Sequence, residues 1–173
     1  MLSVYDGKTP YAIAFPSEDE DGLAGWKCRP LAKKDFFGIG KTKDTYPMGW
    51  SRAMTVVDDI LWFTEGEFDA VALDYCLTLV GREDMYPVVS LTHGGGSLEK
   101  NWEKIKGLVI SQGIRVLVFV VDDDDVGHEC ERVAKTLWDN VVIIKKPRHC
   151  KDANDAVKLG YAEDMGRLAM GLI

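Results

Sequence analysis

The clearest patterned segment of the chain is Val116 to Val121 (VLVFVV), six apolar residues with no polar alternation. Such a run reads as a strand buried on both faces. Three shorter runs resemble it: ILWFT (60–64), PVVSL (87–91) and VVII (141–144). Between them the period changes. Phe68, Val71, Ala72, Tyr75, Cys76 and Leu79 recur at helical spacing, as do Val126, Cys130, Val133, Ala134 and Leu137. Both sets predict amphipathic helices. Helical character also returns around Leu98 to Ile110, and Ala153 to Leu159 predicts a further short helix. Strands alternating with helices favour an α/β domain with a largely parallel sheet.

Residues 1 to 57 have a different texture. They are rich in glycine, proline and aromatics, with short apolar stretches (YAIAF, GWKCRPL, DFFGIG) and no sustained helical period. This predicts a small antiparallel β subdomain with exposed turns, SEDEDG among them. The expected boundary divides 1–57 from the α/β domain at 58–173.

Composition changes this picture little. A chain of 173 residues, 46% hydrophobic and 28% charged, is expected to bury an ordinary core in water. No apolar run approaches the ~18 residues of a membrane span. The N-terminus lacks the basic and apolar regions of a signal peptide, so an intracellular, cytoplasmic location is expected. Cys28, Cys76, Cys130 and Cys150 form no CxxC pair, so neither a zinc ribbon nor a disulfide framework is expected.

Charge changes it more. The net charge of −7 argues against indiscriminate nucleic-acid binding, but the basic residues are clustered. Ala24 to Lys43 holds six of them against one acid, Asp35, and Lys145, Lys146, Arg148 and Lys151 form a second group.

In parallel sheets ligands gather beyond the carboxyl ends of the strands. Glu65 directly follows the first buried strand. Asp122 follows the most apolar one, with Asp124 two residues on, and His93 and Gly94 follow the strand at 87–91. Three strand ends are thus expected on one rim. Oxygen ligands in that arrangement suit a hard divalent cation, which can neutralise charge on phosphorus and acidify a bound hydroxyl. Plainer readings exist for each feature. Glu67 and Asp69 lie in a first helical turn, where acids favour the helix dipole by ~0.3–1 kcal/mol. Asp122 to Asp125 as a solvated loop leaves unexplained why Asp-x-Asp-x-x-Gly starts at the end of a buried strand.

Two other motifs fail. The GKT at 40–42 lacks the earlier glycine of a phosphate-binding loop, because Asp35 occupies its place. His128-Glu129 lacks a second histidine, since Arg132 stands there, so no zinc-protease role is expected.

TEGEFDAVAL (64–73) and VVDDDDVG (120–127) resemble the two Toprim signatures, Glu-Gly-x-x-Asp-Ala and Asp-x-Asp-x-x-Gly. YPVVSLTHGGG (86–96) and KDANDAVKLG (151–160) resemble the blocks between and after them in primase–helicases of T-odd bacteriophages and in mitochondrial Twinkle. All four occur in order. The resemblance implies a Rossmann-like Toprim domain with a mostly parallel sheet flanked by helices, preceded by a small β-rich subdomain. It implies a catalytic and metal-binding set of Glu65, Asp122 and Asp124, with Asp69 assisting, for two magnesium ions that manganese can replace. GWKCRPLAKKDFFGIGK (25–41) resembles the basic stretch before Toprim. That match makes Lys27 and Lys34 first candidates for contacting triphosphate, then Arg29 and Lys33, with His93, Gly94 and Lys151 completing the nucleotide and nucleic-acid contacts.

The implied activity is that of a DNA primase, a nucleotidyltransferase making RNA primers on single-stranded DNA from ribonucleoside triphosphates in phage replication. No cysteine-rich zinc module and no Walker-type helicase is present in the sequence. A zinc-binding template-recognition module and a replicative helicase are therefore expected partners, in a longer chain or as separate subunits. A Toprim nuclease using the same metals is the alternative enzyme. A non-catalytic nucleic-acid-binding or assembly module is the alternative outside catalysis.

Overall fold

A computed structural model describes residues 1–55, 58–81, 86–91 and 95–171. The chain forms two compact units, Met1–Met48 and Gly49–Ile173. No helix among the described residues is long and apolar enough to cross a membrane.

The first unit is an antiparallel meander of β1 (Leu2–Asp6), β2 (Thr9–Asp19), β3 (Gly22–Pro30) and β4 (Phe37–Gly40), hydrogen-bonded in that order. Ala12 and Ala14 pair across the ladder with Pro30 and Cys28. Ala12, Ala14 and Cys28 are buried, which explains why small side chains fill these alternate positions. The turn between β2 and β3 is closed by Asp19, whose carboxylate accepts from the Asp21 amide at 3.1 Å.

In the second unit the order is α1 (Trp50–Ala53), β5 (Ile60–Thr64), α2 (Glu67–Val80), β6 (Val88–Ser90), α3 (Leu98–Ser111), β7 (Val116–Val120), α4 (Asp125–Leu137), β8 (Val141–Ile143), α5 (Ala153–Lys158) and α6 (Ala162–Met170). A 3-10 turn at Gly95–Ser97 leads into α3. The four strands pair in parallel in the order β6-β5-β7-β8. Leu61, Trp62, Phe63, Leu117, Val118 and Phe119 are at most 1% exposed. Consecutive residues are therefore buried on both faces, which is why these runs show no alternation. Phe63 and Phe119 stack across β5 and β7 with centroids 4.7 Å apart. All four cysteines are free, and Cys28, Cys76 and Cys130 are buried.

The strand order places a topological switch point between β5 and β7. From β5 the chain steps outward to β6, then returns past β5 to lay down β7 on its other side. Such reversals open a crevice beyond the carboxyl ends of the two central strands. Thr64 pairs with Val120, so the residues after both strands leave the sheet at the same level.

Helix α6 was not expected from periodicity. Its nine residues include Gly166, a weak helix former, yet Gly166 is what lets the helix dock. A Cβ there would sit 2.2 Å from the Cys76 carbonyl oxygen and 2.7 Å from a Val80 methyl, both on α2. Gly166→Ala is expected to destabilise the protein by about 1–3 kcal/mol through this overpacking. Chemical denaturation would check it, and a variant as stable as the parent would mean that the two helices can separate freely.

Candidate metal centre beyond strands β5 and β7

The centre starts from two strand ends. Thr64, fully buried, donates its hydroxyl to the Gly66 carbonyl at 3.0 Å and shapes the exit of β5. Glu65 reaches across that exit, and its Oε1 accepts from the backbone amide of Asp122 at 2.7 Å. This clasp joins the ends of β5 and β7. Gly127, in the first turn of α4, fits beneath it. A Cβ there would lie 2.0 Å from the Asp122 carbonyl oxygen and 2.9 Å from Glu65 Oε1. The glycine of Asp-x-Asp-x-x-Gly is thus required by close approach rather than by a turn. Gly127→Ala is expected to lower stability by about 1–3 kcal/mol and to weaken divalent-cation binding, because α4 must shift away from Asp122. Thermal melts and magnesium titration by calorimetry would check both effects.

Three acids converge at the mouth of the crevice. Asp69 comes from the first turn of α2, Asp122 follows β7, and Asp152 precedes α5. Each offers a carboxylate oxygen, and these atoms lie within 4.8 Å of one another. Asp152 is held as the N-cap of α5, accepting from the Asp155 amide at 2.6 Å. Asp69 accepts from the Asn154 amide at 3.3 Å, which ties α2 to the start of α5. Lys151 pairs with Asp122 at 3.3 Å, and that hydrogen bond and charge hold the ammonium above its ordinary pKa.

Crowding shows in the titration of Asp69. Its pKa is pushed up to about 7, first by burial and then by the charge of Asp152, with Asp122 and Glu65 adding to it. The Asn154 amide opposes the shift without cancelling it. A buried carboxyl held partly protonated by its surroundings and by neighbouring negative charge is one that a bound cation would relax. The donors are all oxygens, which fits a hard divalent cation. Asp69, Asp122 and Asp152 are the residues placed to hold it.

The sequence-derived set is distributed as follows. Glu65, Asp69 and Asp122 come together. Asp124 is the N-cap of α4, its Oδ1 accepting from the amides of Val126 (3.1 Å) and Gly127 (3.0 Å). Asp152 is a member of the cluster that the sequence motifs do not single out, whereas they do single out its neighbour Lys151. Its signal was an Asp three residues ahead of Asp155 at a helix start, the N-cap pattern that Asp124 also shows. His93 and Gly94 lie outside the described residues. In the first unit, the Lys27 ammonium sits 4.6 Å from the Phe36 ring centre and the Arg29 guanidinium 5.5 Å from it. Lys33 and Lys34 are exposed after β3. Lys41 of the GKT string pairs with Asp19 at 2.6 Å, a bond within the β unit.

No protein-family model and no curated protein matches the sequence. Solved structures do. The chain is similar to the primase fragment of the bacteriophage T7 primase-helicase protein, with 24% identity and a TM-score of 0.71 over 92% of this chain. It spans 61% of that fragment's length. It is also similar to a T7 primase domain from a complex of the lagging-strand DNA polymerase with an RNA/DNA hybrid and dTTP. There the identity is 23% and the TM-score 0.69, covering 91% of this chain and 76% of the other. The zinc-binding and RNA-polymerase domains of Aquifex aeolicus primase match at 17% identity and a TM-score of 0.66, over 99% of this chain and 42% of theirs. The α/β unit with its parallel sheet, and the antiparallel unit before it, together constitute a primase-like fold of Toprim type.

Proposed function

We propose that this chain is the catalytic core of a DNA primase, making short RNA primers on single-stranded DNA by metal-dependent nucleotidyl transfer during phage replication. One observation carries the reading: Asp69, Asp122 and Asp152 converge beyond β5 and β7, with Glu65 clasping the two strand ends, on a primase-like fold. Magnesium, with manganese as a substitute, would supply charge neutralisation at phosphorus and acidification of the primer 3′-hydroxyl. Asp69, Asp122 and Asp152 would hold it, Asp124 contributing from the same loop. Glu65 keeps the Asp122 backbone in place and would serve as a base or as a metal ligand. Lys151 holds Asp122 in position and offers positive charge to a triphosphate. Lys27 and Lys34, then Arg29 and Lys33, supply charge for triphosphate, template and primer, giving salt-sensitive affinity. His93 and Gly94 complete the nucleotide contacts. Template choice falls to a zinc-binding module and unwinding to a helicase, in the same chain or beside it, in the cytoplasm of the infected cell.

The test supplies what the chain would otherwise obtain from a zinc module. The purified protein is incubated with single-stranded DNA carrying an annealed RNA primer, ribonucleotides and magnesium or manganese. Primer extension is expected. Degradation of the template without extension would move the assignment to a nuclease. Metal binding with neither activity would make the chain a binding module.

A further inference from the structure

The peptide between Val121 and Asp122 lies just past the end of β7, and charged side chains hold it from both sides. Its N–H, the Asp122 amide, donates to Glu65 Oε1 at 2.7 Å, and Glu65 comes from the end of β5. Its carbonyl, that of Val121, accepts from the ammonium of Lys146, which lies beyond β8. A trans peptide points these two groups in opposite directions, and β7 runs between β5 and β8.

The register explains the second contact. Phe119 pairs with Ile143, and its carbonyl accepts from the Ile144 amide at 2.9 Å. Bonds in a parallel ladder are evenly spaced, so the next rung falls on Val121 and Lys146. There the Lys146 side chain is the donor, just before buried Pro147. A backbone rung is neutral, whereas an ammonium in its place makes a charge-assisted bond about twice as strong. Negative charge thus meets the N–H end of the peptide dipole and positive charge the carbonyl end. Two further acids line this side of the exit from β7, and both have partners. Asp123 lies 3.3 Å from His128, and Glu131 pairs with Lys135 at 2.5 Å. Lys145, Arg148 and His149 are exposed around them.

From this arrangement we infer that Lys146 is a positioning residue for the cation site: its grip on the Val121 carbonyl fixes the peptide plane from which the Asp122 carboxylate is aimed. The same grip fastens the segment carrying Lys151, which pairs with Asp122 at 3.3 Å, and Asp152 after it. One fastening therefore sets two of the three converging acids relative to each other. The inference rests on the reading that Asp69, Asp122 and Asp152 hold a divalent cation.

Charge alone and positioning predict effects of opposite sign. Removing a positive charge beside an acidic site strengthens cation binding, whereas removing a partner that orients the ligands weakens it by about 10–100-fold. Magnesium is titrated calorimetrically into the full chain and into Lys146→Met, Lys146→Arg and Lys145→Met. Lys146→Met is expected to bind at least about tenfold more weakly. Lys146→Arg keeps a cationic donor and should recover most of the loss. Lys145→Met removes an exposed neighbouring charge and should bind as the parent does or slightly more tightly. Amide hydrogen exchange in EDTA reads the grip without metal. In Lys146→Met the Asp122 amide should exchange about tenfold faster, the loss of one hydrogen bond to a charged group. The Phe119 amide, inside the β7 ladder, reports overall stability in the same experiment. A parent that binds magnesium, with Lys146→Met within twofold of it or tighter, overturns the positioning role alone. So does an Asp122 amide whose exchange changes only in step with that of Phe119. A parent that binds no magnesium overturns the cation reading, and the positioning role with it.

Discussion

Asp122→Ala is expected to reduce RNA-primer extension by at least about 100-fold, the largest effect of any single substitution in this chain. Loss of partners merely orienting a metal's ligands already lowers affinity or activity by about 10–100-fold, and Asp122 is placed as a ligand. Its carboxylate belongs to the three-acid group, and it pairs with Lys151 at 3.3 Å. The substitution should spare the fold, because Glu65 grips the Asp122 backbone amide and not its side chain. Melting in EDTA should therefore match the parent or exceed it, since one of the charges crowding Asp69 is gone. Extension rates together with magnesium titration decide the matter. A variant extending primers within a few-fold of the parent would show that the chemistry lies elsewhere. Glu65→Ala provides the contrast, because it opens the clasp between β5 and β7 and should lower both activity and stability.

The second large effect is a dependence of stability on pH in the metal-free protein, traceable to Asp69. Its pKa rises from 3.8 to about 7 on folding. Between those values the folded chain holds a proton that the unfolded chain has released, so stability falls as pH rises through that window. Asp69's contribution is fully present below about pH 4 and is lost above about pH 7. A shift of this size corresponds to on the order of 4 kcal/mol. Asp69→Asn mimics the protonated acid and keeps an oxygen for the Asn154 amide. At pH 8 in EDTA the variant is expected to be more stable than the parent, by up to that amount. Magnesium should reverse the ranking, stabilising the parent and not the variant. Urea denaturation at pH 5 and pH 8, with and without magnesium, would test all four combinations. Parallel pH profiles for parent and variant would remove Asp69 from the account.

These two expectations describe one compromise. Carboxylates gathered for a cation repel one another without it, so the feature that would serve phosphoryl chemistry weakens the empty protein. The clasp from Glu65 and the caps at Asp124 and Asp152 keep the acids together against that repulsion.

Much of this was legible in the sequence by itself. The strands at 60–64 and 116–120 were visible because a sheet covered on both faces demands consecutive apolar residues. Glu65 and Asp122 were visible because polar residues ending such runs must lie at the sheet's rim. The β texture of the first unit also followed from local composition. Other features were decided by the tertiary structure. Asp152 joins Asp69 and Asp122 from 30 residues beyond β7's closing acid, a meeting that no local period encodes. Gly127 and Gly166 look like weak helix formers in sequence, and only the approach of the Asp122 and Cys76 carbonyls explains them. Lys145, Lys146 and Arg148 read in sequence as a basic cluster, and only the structure shows Lys146 donating to the Val121 carbonyl at the end of β7. The division has a physical cause. Burial and backbone period act between near neighbours and leave marks in the sequence, whereas carboxylate crowding and close packing arise only once distant segments share the same few ångströms.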